Sequence, residues 1–485
     1  MKCKRGSITI YLCLTLTIIL SLFTAMLKSI RTAGGRVIIA SAMDQGLFSL
    51  FAQYDKDLLE EYDLFYINGG FGSDSLQMNA LYEMVSHDAM YSLDPYGHGN
   101  RNFFGADFVS GSITGYVLAT DQTGNSFVDQ VSEHMKSSLA ASGIQQLSET
   151  INSQSKKMTS QQEQLKQIIS SDPISVYDQE IASAAPQEPG SVPVQAPEEF
   201  PAETRDINPI ELIRNIRKSG TLGLVVKDPD ALSPFKIDSS VMSSHRTLNR
   251  GMGLLPASHS GGTDKLMMME YLMEKFPNFT SSEITDGLSY QIEYVIAGKD
   301  TDTENLKSVV KQLRQIRAIS NMIYLYFSPE KKAQADLAAA GISSSMLIPV
   351  SQPVISMALL SSWAYAESIS DVRSLLDGQK VPLVKSDSTW KISLEGLSSF
   401  LTSTEHVTQS SSEGFDYSWY LRFLLFKQSQ AKLTTSAMDL VEYNMNLINP
   451  DGHFHIDNCV ESLEIEAVWE IDYNNYNICR NYSYQ

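Results

Sequence analysis

Cysteine is scarce, positive charge is under-represented, and long hydrophobic runs are nearly confined to one place. The 485 residues include four cysteines. Cys3 and Cys13 fall in or beside one apolar run, and Cys459 and Cys479 lie near the C-terminus. No spacing among them matches a zinc ligand set, and four is too few for a disulfide framework. A Cys459–Cys479 bridge is open to an oxidising compartment. The alternation of Phe454, Ile456 and Asn458 ahead of Cys459 points instead to a small buried residue in a strand. Lys and Arg number 37 against 56 Asp and Glu. The first 43 residues hold six of those bases and no acid, leaving 31 bases against 56 acids in the remainder. A body so acidic repels phosphate backbones and anionic lipid, which argues against nucleic-acid binding and fits a soluble exposed domain.

Catalytic signatures are missing as well. Gly251-Met252-Gly253 and His259-Ser260-Gly261-Gly262-Thr263 match neither a dinucleotide nor a phosphate-loop fingerprint, and no nucleophile elbow occurs. His453 and His455 form an H-x-H that would place both imidazoles on one strand face, but no third ligand is evident. Glu367 and Asp371 are four residues apart in a helical pattern lined by Trp363, Ala366, Ile369, Val372 and Leu376. Like charges at that spacing repel. The pair reads as structural carboxylates, one of them meeting an arginine such as Arg314 or Arg317; a cation site or an acid–base pair is the functional alternative. The expectation is therefore a non-enzyme with no catalytic residue, metal, cofactor or small-molecule substrate.

What is present begins with Gly6–Leu27, an uncharged, mostly apolar run fenced by Lys2, Lys4 and Arg5 on one side and Lys28, Arg31 and Arg36 on the other. A helix of that length covers a hydrocarbon core of about 30 Å. A cleaved signal needs small residues soon after the apolar stretch, whereas Met26-Leu27-Lys28-Ser29-Ile30-Arg31 follows here. The segment thus reads as an uncleaved single-pass anchor in the cell membrane, touching lipid through residues 7–27. Flanking basic residues tie, and the free α-amino group tips the N-terminus to the cytoplasm and the body outside. Ala25, Ser29 and Ala33 form a small-residue stripe suited to close helix packing. An apolar face continues through Ile30, Val37, Leu47, Phe51 and Leu58 toward Glu60, and Gly34-Gly35 predicts a bend.

Lys4-Arg5-Gly6-Ser7-Ile8-Thr9-Ile10-Tyr11, followed by an apolar helix, resembles the amino terminus of type IV prepilin-like proteins. It is more closely similar to the TadE/TadG-like minor pseudopilins of tight-adherence (Tad or Flp) pili. The resemblance implies a processing site between Gly6 and Ser7. It departs at the fifth position after that bond, where pilins carry glutamate and this chain has Tyr11.

The expected fold class is α+β: a transmembrane helix continuing into a juxtamembrane helix, then an extracytoplasmic body in two parts. Residues 1–60 form the anchor and juxtamembrane helix. Residues 61–170 form a first α+β segment, with strands at Leu64–Ile67 and Tyr116–Ala119 and an exposed helical hairpin over 126–169. Residues 171–208, rich in proline and glutamate, predict an extended linker. The main domain occupies 209–485, with a helix from Ile210, a strand at Leu222–Val226 and a helix opened by the capping-box pattern Thr301-Asp302-Thr303-Glu304. Helix returns from Pro329 to Ala340, and strands are expected at Phe454–Ile456 and Leu463–Val468. The uncharged stretch 341–366 contains Pro349 and Pro353 and reads as a buried core helix, with a second membrane segment as the alternative.

A second resemblance spans nearly the whole chain. It rests on Gly287-Leu288-Ser289-Tyr290-Gln291-Ile292-Glu293-Tyr294, Trp363-Ala364-Tyr365-Ala366-Glu367-Ser368, Val381-Pro382-Leu383-Val384-Lys385 and Tyr417-Ser418-Trp419-Tyr420. These strings are similar to an uncharacterised membrane-anchored family of Gram-positive bacteria often found in Tad-type loci. It implies a structural or assembly component of a Tad/Flp-like pilus or secretion system, with protein partners in that assembly. A surface adhesin unrelated to filaments is the second reading, and a membrane-tethered hydrolase the third.

Overall fold

The computed structural model describes residues 5–94, 104–138, 141–184, 209–256, 263–282, 287–345, 350–402 and 414–484. The fold is mixed α and β, with a long apolar helix at the N-terminus. The chain divides into two compact units, residues 1–135, 240–264 and 434–485 in the first and residues 136–239 and 265–433 in the second. This differs from the expected serial arrangement of 1–60, 61–170, 171–208 and 209–485, because distant segments complete each other's cores.

In the first unit, helix α1 (Arg5–Phe51) runs unbroken for 47 residues, about 70 Å. Helix α2 (Met78–Leu93) packs beside its C-terminal portion. Four antiparallel strands form the sheet of this unit: β1 (Ile67–Asn68), β2 (Ala106–Leu118), β3 (Cys459–Ile471) and β4 (Asn474–Ser483). Strand β3 is central, pairing with β2 along one edge and with β4 and then β1 along the other. Asp472 and Tyr473, both at positive φ, make the two-residue turn into β4, as the right-handed strand twist favours. Ile465, Ala467, Trp469 and Ile471 alternate inward from β3 and meet Ile39, Met43, Leu47 and Leu50 of α1 and Leu81 and Val85 of α2. The juxtamembrane part of α1 is thus core to this unit.

Gly34 and Gly35 do not interrupt α1. A Cβ on Gly34 would lie 2.4 Å from the Phe104 ring, and one on Gly35 would lie 2.8 Å from Ile471 Cδ1. Gly46 faces the backbone of α2, where a Cβ would fall 2.6 Å from the Val85 carbonyl oxygen. The glycines permit close approach, which outweighs their poor helix propensity.

The second unit is predominantly helical. It contains α3 (Ala141–Ile168), α4 (Pro209–Ser219), α5 (Asp302–Phe327), α6 (Pro329–Ser345), α7 (Gln352–Leu376) and α8 (Tyr417–Phe426). Helix α5 starts at the expected cap, with Thr301 Oγ1 accepting from Glu304 N at 3.1 Å. Helix α7 is buried almost all round and packs against α4, α5 and α6. It is therefore a core helix; Met346–Pro349, just before it, lie outside the described residues.

Several local expectations are corrected. Leu222–Val225 is helical, closed by Val226 N donating to Leu222 O at 3.1 Å, rather than a strand. Pro173–Ala184, read as linker, is a helix with Ile174 and Tyr177 buried. Pro173 suits the first turn because its missing N–H costs nothing there. The remainder of that linker, 185–208, lies outside the described residues. In the 126–169 region there are two helices, Asp121–Ser138, which falls mainly in the first unit, and α3, which falls in the second. Only Ile67 of the 64–67 segment enters a strand, and 454–456 leads into a 3-10 turn. Cys459 opens β3, whereas Cys479 pairs in register with Glu466, seven residues further along. Both thiols are free, because that offset far exceeds disulfide reach.

Candidate functional site

The apolar part of α1 is the first candidate surface. Ile10, Leu14, Ile18 and Phe23 are each more than half exposed, and the helix is long and apolar enough to cross a membrane. Its hydroxyl groups are satisfied internally. Thr15, Thr17, Ser21 and Thr24 each donate to the carbonyl three residues earlier at 2.8–3.0 Å, a bond that removes their need for water. Gly6 and Ser7 lie in the first turn of α1. Ala25, Ser29 and Ala33 share a face and are exposed, so the stripe is open to another helix. Tyr11 is 70% exposed on the same helix.

The Glu367–Asp371 pair sits in a different setting from an exposed cation site. Both side chains are fully buried on α7. Lys385 Nζ reaches Glu367 Oε1 at 2.6 Å and Asp371 Oδ1 at 2.7 Å, bridging the two carboxylates. Arg317 of α5 donates from Nε to Asp371 Oδ2 at 3.0 Å, and its remaining N–H groups reach the Leu383 carbonyl, Tyr420 Oη and Asn321. Glu367 also accepts from the backbone N–H groups of Lys391 and Ile392. Burial alone would raise the Asp371 pKa, but Lys385 and Arg317 outweigh it and hold that carboxyl at about 2. For Glu367 burial dominates and raises the pKa against the pull of Lys385. Two cations against two carboxylates make a closed network that ties α7 to α5 and to the segment after α7. Of the two arginines offered by the sequence, Arg317 meets Asp371 and Arg314 lies against the Tyr365 ring; Lys385 as a partner lay in no periodic pattern.

His453 and His455 come together, although not on a strand. His453 closes a 3-10 turn at φ 46°, and His455 is extended. Asp74 Oδ1 lies 3.0 Å from His453 Nδ1 and 3.4 Å from His455 Nε2. Glu442, His455 and Asp457 place their ligand atoms within 4.8 Å of one another, a spacing a metal could use. Arg246 already fills it. Its Nη2 lies 2.6 Å from Glu442, 2.7 Å from Asp457 and 3.0 Å from His455 Nδ1. His455 Nδ1 also lies 3.6 Å from Glu442 Oε1, so both ring nitrogens face carboxylates. Contact with Glu442 raises the His455 pKa, opposed by burial and Arg246. The cluster works as an ion-pair clasp, holding the 242–249 segment to the start of β3.

A family model described as a family of unknown function (DUF5702) matches residues 199–471, more than half of the chain. The chain belongs to that family. The DUF5702 match takes in the Arg317–Asp371–Lys385–Glu367 network and the Arg246 clasp, and leaves α1 and Asp74 outside. No curated protein and no solved structure matches the chain.

Proposed function

We propose that this DUF5702 protein is a membrane-anchored, non-catalytic structural or assembly component of a Tad/Flp-like pilus or secretion system. Its N-terminus lies in the cytoplasm and its body is extracytoplasmic. The observation that carries the reading is the double use of α1. One uninterrupted helix offers an uncovered apolar length with a small-residue stripe, then becomes the core of the first unit. A protein built this way couples whatever packs on its membrane helix directly to its folded body. The stripe of Ala25, Ser29 and Ala33 supplies the assembly surface, residues 7–27 meet lipid, and partners are other proteins of the apparatus. Glu367 and Asp371 are engaged with Lys385 and Arg317, and His455 with Arg246, which supports a role without chemistry.

Site-specific photo-crosslinking in native membranes tests this. A photoreactive residue at position 25, 29 or 33 is expected to capture another polypeptide, and one at position 27, about half a turn away, to capture mainly lipid. Lipid adducts alone from all four positions would contradict an assembly role and favour a solitary surface binding protein.

A further inference from the structure

The second unit holds a cavity of about 1040 Å³ bounded by α3, the C-terminal end of α4, α5 and α7. Its lining is opposite in sign to the rest of the molecule. Lys166, Arg217, Lys218, Lys307, Lys311 and Arg314 converge there, and Asp172 is the one carboxylate among the lining residues. The whole chain carries a formal charge of −19. Arg217 engages Asp172 at 2.8 Å; among the described residues none of the other five closes an ion pair.

Arg217 and Lys218 have an ordinary explanation, since cations at a helix C-terminus are favoured by the helix dipole. The row on α5 has none. Lys307, Lys311 and Arg314 recur at i, i+4 and i+7 on one face, where like charges repel. Arg314 stands with its guanidinium 4.3 Å from the Tyr365 ring centroid, and its buried Nε has no hydrogen-bond partner. A buried N–H donor left without an acceptor is costly unless one arrives.

We propose that this cavity is a binding site for a phosphate-bearing polyanion. Lys307 to Arg314 spans about 10 Å along the α5 axis, too long for a single phosphate and suited to anionic groups in series. Arginine forks and lysine ammonium groups together are the usual recognition set for such groups. The cavity volume admits a ligand the size of an oligophosphate or a phosphorylated small molecule.

Isothermal titration of the full chain in zwitterionic detergent with inorganic tripolyphosphate tests the site. One equivalent is expected to bind, orthophosphate about tenfold or more weakly, with affinity falling as salt rises. The substitutions K307Q and K311Q together remove two exposed charges without touching the core, and are expected to weaken tripolyphosphate at least about tenfold. K56Q with K380Q, elsewhere on the surface, is expected to leave it unchanged. Displacement by phosphatidylglycerol vesicles would assign the anion to a lipid headgroup, and no displacement would assign it to a soluble ligand; both uphold the site. No binding at millimolar tripolyphosphate, or equal weakening by the two double variants, would overturn it. Tighter binding of a single-stranded oligonucleotide would overturn the small-ligand assignment.

Discussion

At the scale of single residues, Lys385 is the group on which two buried carboxylates depend. Removing it leaves Glu367 with backbone donors only and Asp371 with Arg317 and Asn321. The expected cost of K385A is about 3–5 kcal/mol, because an uncompensated buried charge is worse than a missing pair. Urea unfolding followed by tryptophan fluorescence measures it, and the ring of Trp390 lies 5.9 Å from Lys385 Nζ. K385M combined with E367Q should recover much of the loss; no recovery would show that the ammonium matters for something other than charge. Glu293 carries a separate pH signature. It is fully buried, accepts from Tyr417 Oη at 2.6 Å, and burial pushes its pKa up to about 7 from 4.5. The folded pKa lies above the unfolded one, so the contribution is complete below about pH 4.5 and is lost as pH rises through 7. The chain should lose about 3 kcal/mol between those limits from this group, and E293Q should flatten that slope. An unchanged pH profile in E293Q would place the titration elsewhere. Of these residues, the like-charged Glu367–Asp371 spacing pointed to a structural ion pair with an arginine such as Arg314 or Arg317, and the structure pairs Asp371 with Arg317. Glu293 had a fainter signal, a lone acid between Ile292 and Tyr294-Val295-Ile296.

At the scale of elements, α1 shows how far periodicity reaches. Its apolar run and its continuing face were legible, because both are local patterns of residue type. The role of its glycines was not, since that depends on which backbone lies opposite. Gly46 and Gly35 separate the two effects. G46A gains helix propensity of about 1 kcal/mol but sets a Cβ 2.6 Å from a fixed backbone oxygen of α2, so a net loss of about 1–3 kcal/mol is expected. G35A meets side-chain atoms of the buried Ile471, which can give further than a backbone oxygen, and should lose less than G46A. Thermal unfolding of the two variants side by side checks this; equal effects would mean that propensity, not close packing, governs both positions. The four-residue helix at Leu222 and the short strand β1 were misjudged for a related reason. Segments so short take their conformation from neighbours rather than from their own residues.

At the scale of the whole molecule, the sequence's charge pattern and single membrane-type run were readable, but its connectivity was not. Thr114 and Glu464, 350 residues apart, are hydrogen-bonded across β2 and β3. No local pattern signals such a pairing, so a serial division of the chain missed the way both termini build one unit. That construction ties the C-terminal strands to the helix that is long and apolar enough to cross a membrane, and it is why the proposed role centres on α1. The most direct measurement is the count of surface filaments, by electron microscopy of the native host, after deletion of this gene and complementation. The account predicts filament loss on deletion and restoration by the full chain. A chain whose residues 8–30 are replaced by an unrelated apolar helix should not restore them, although its body remains anchored. Filament numbers unchanged by deletion, or full rescue by the replaced helix, would contradict it.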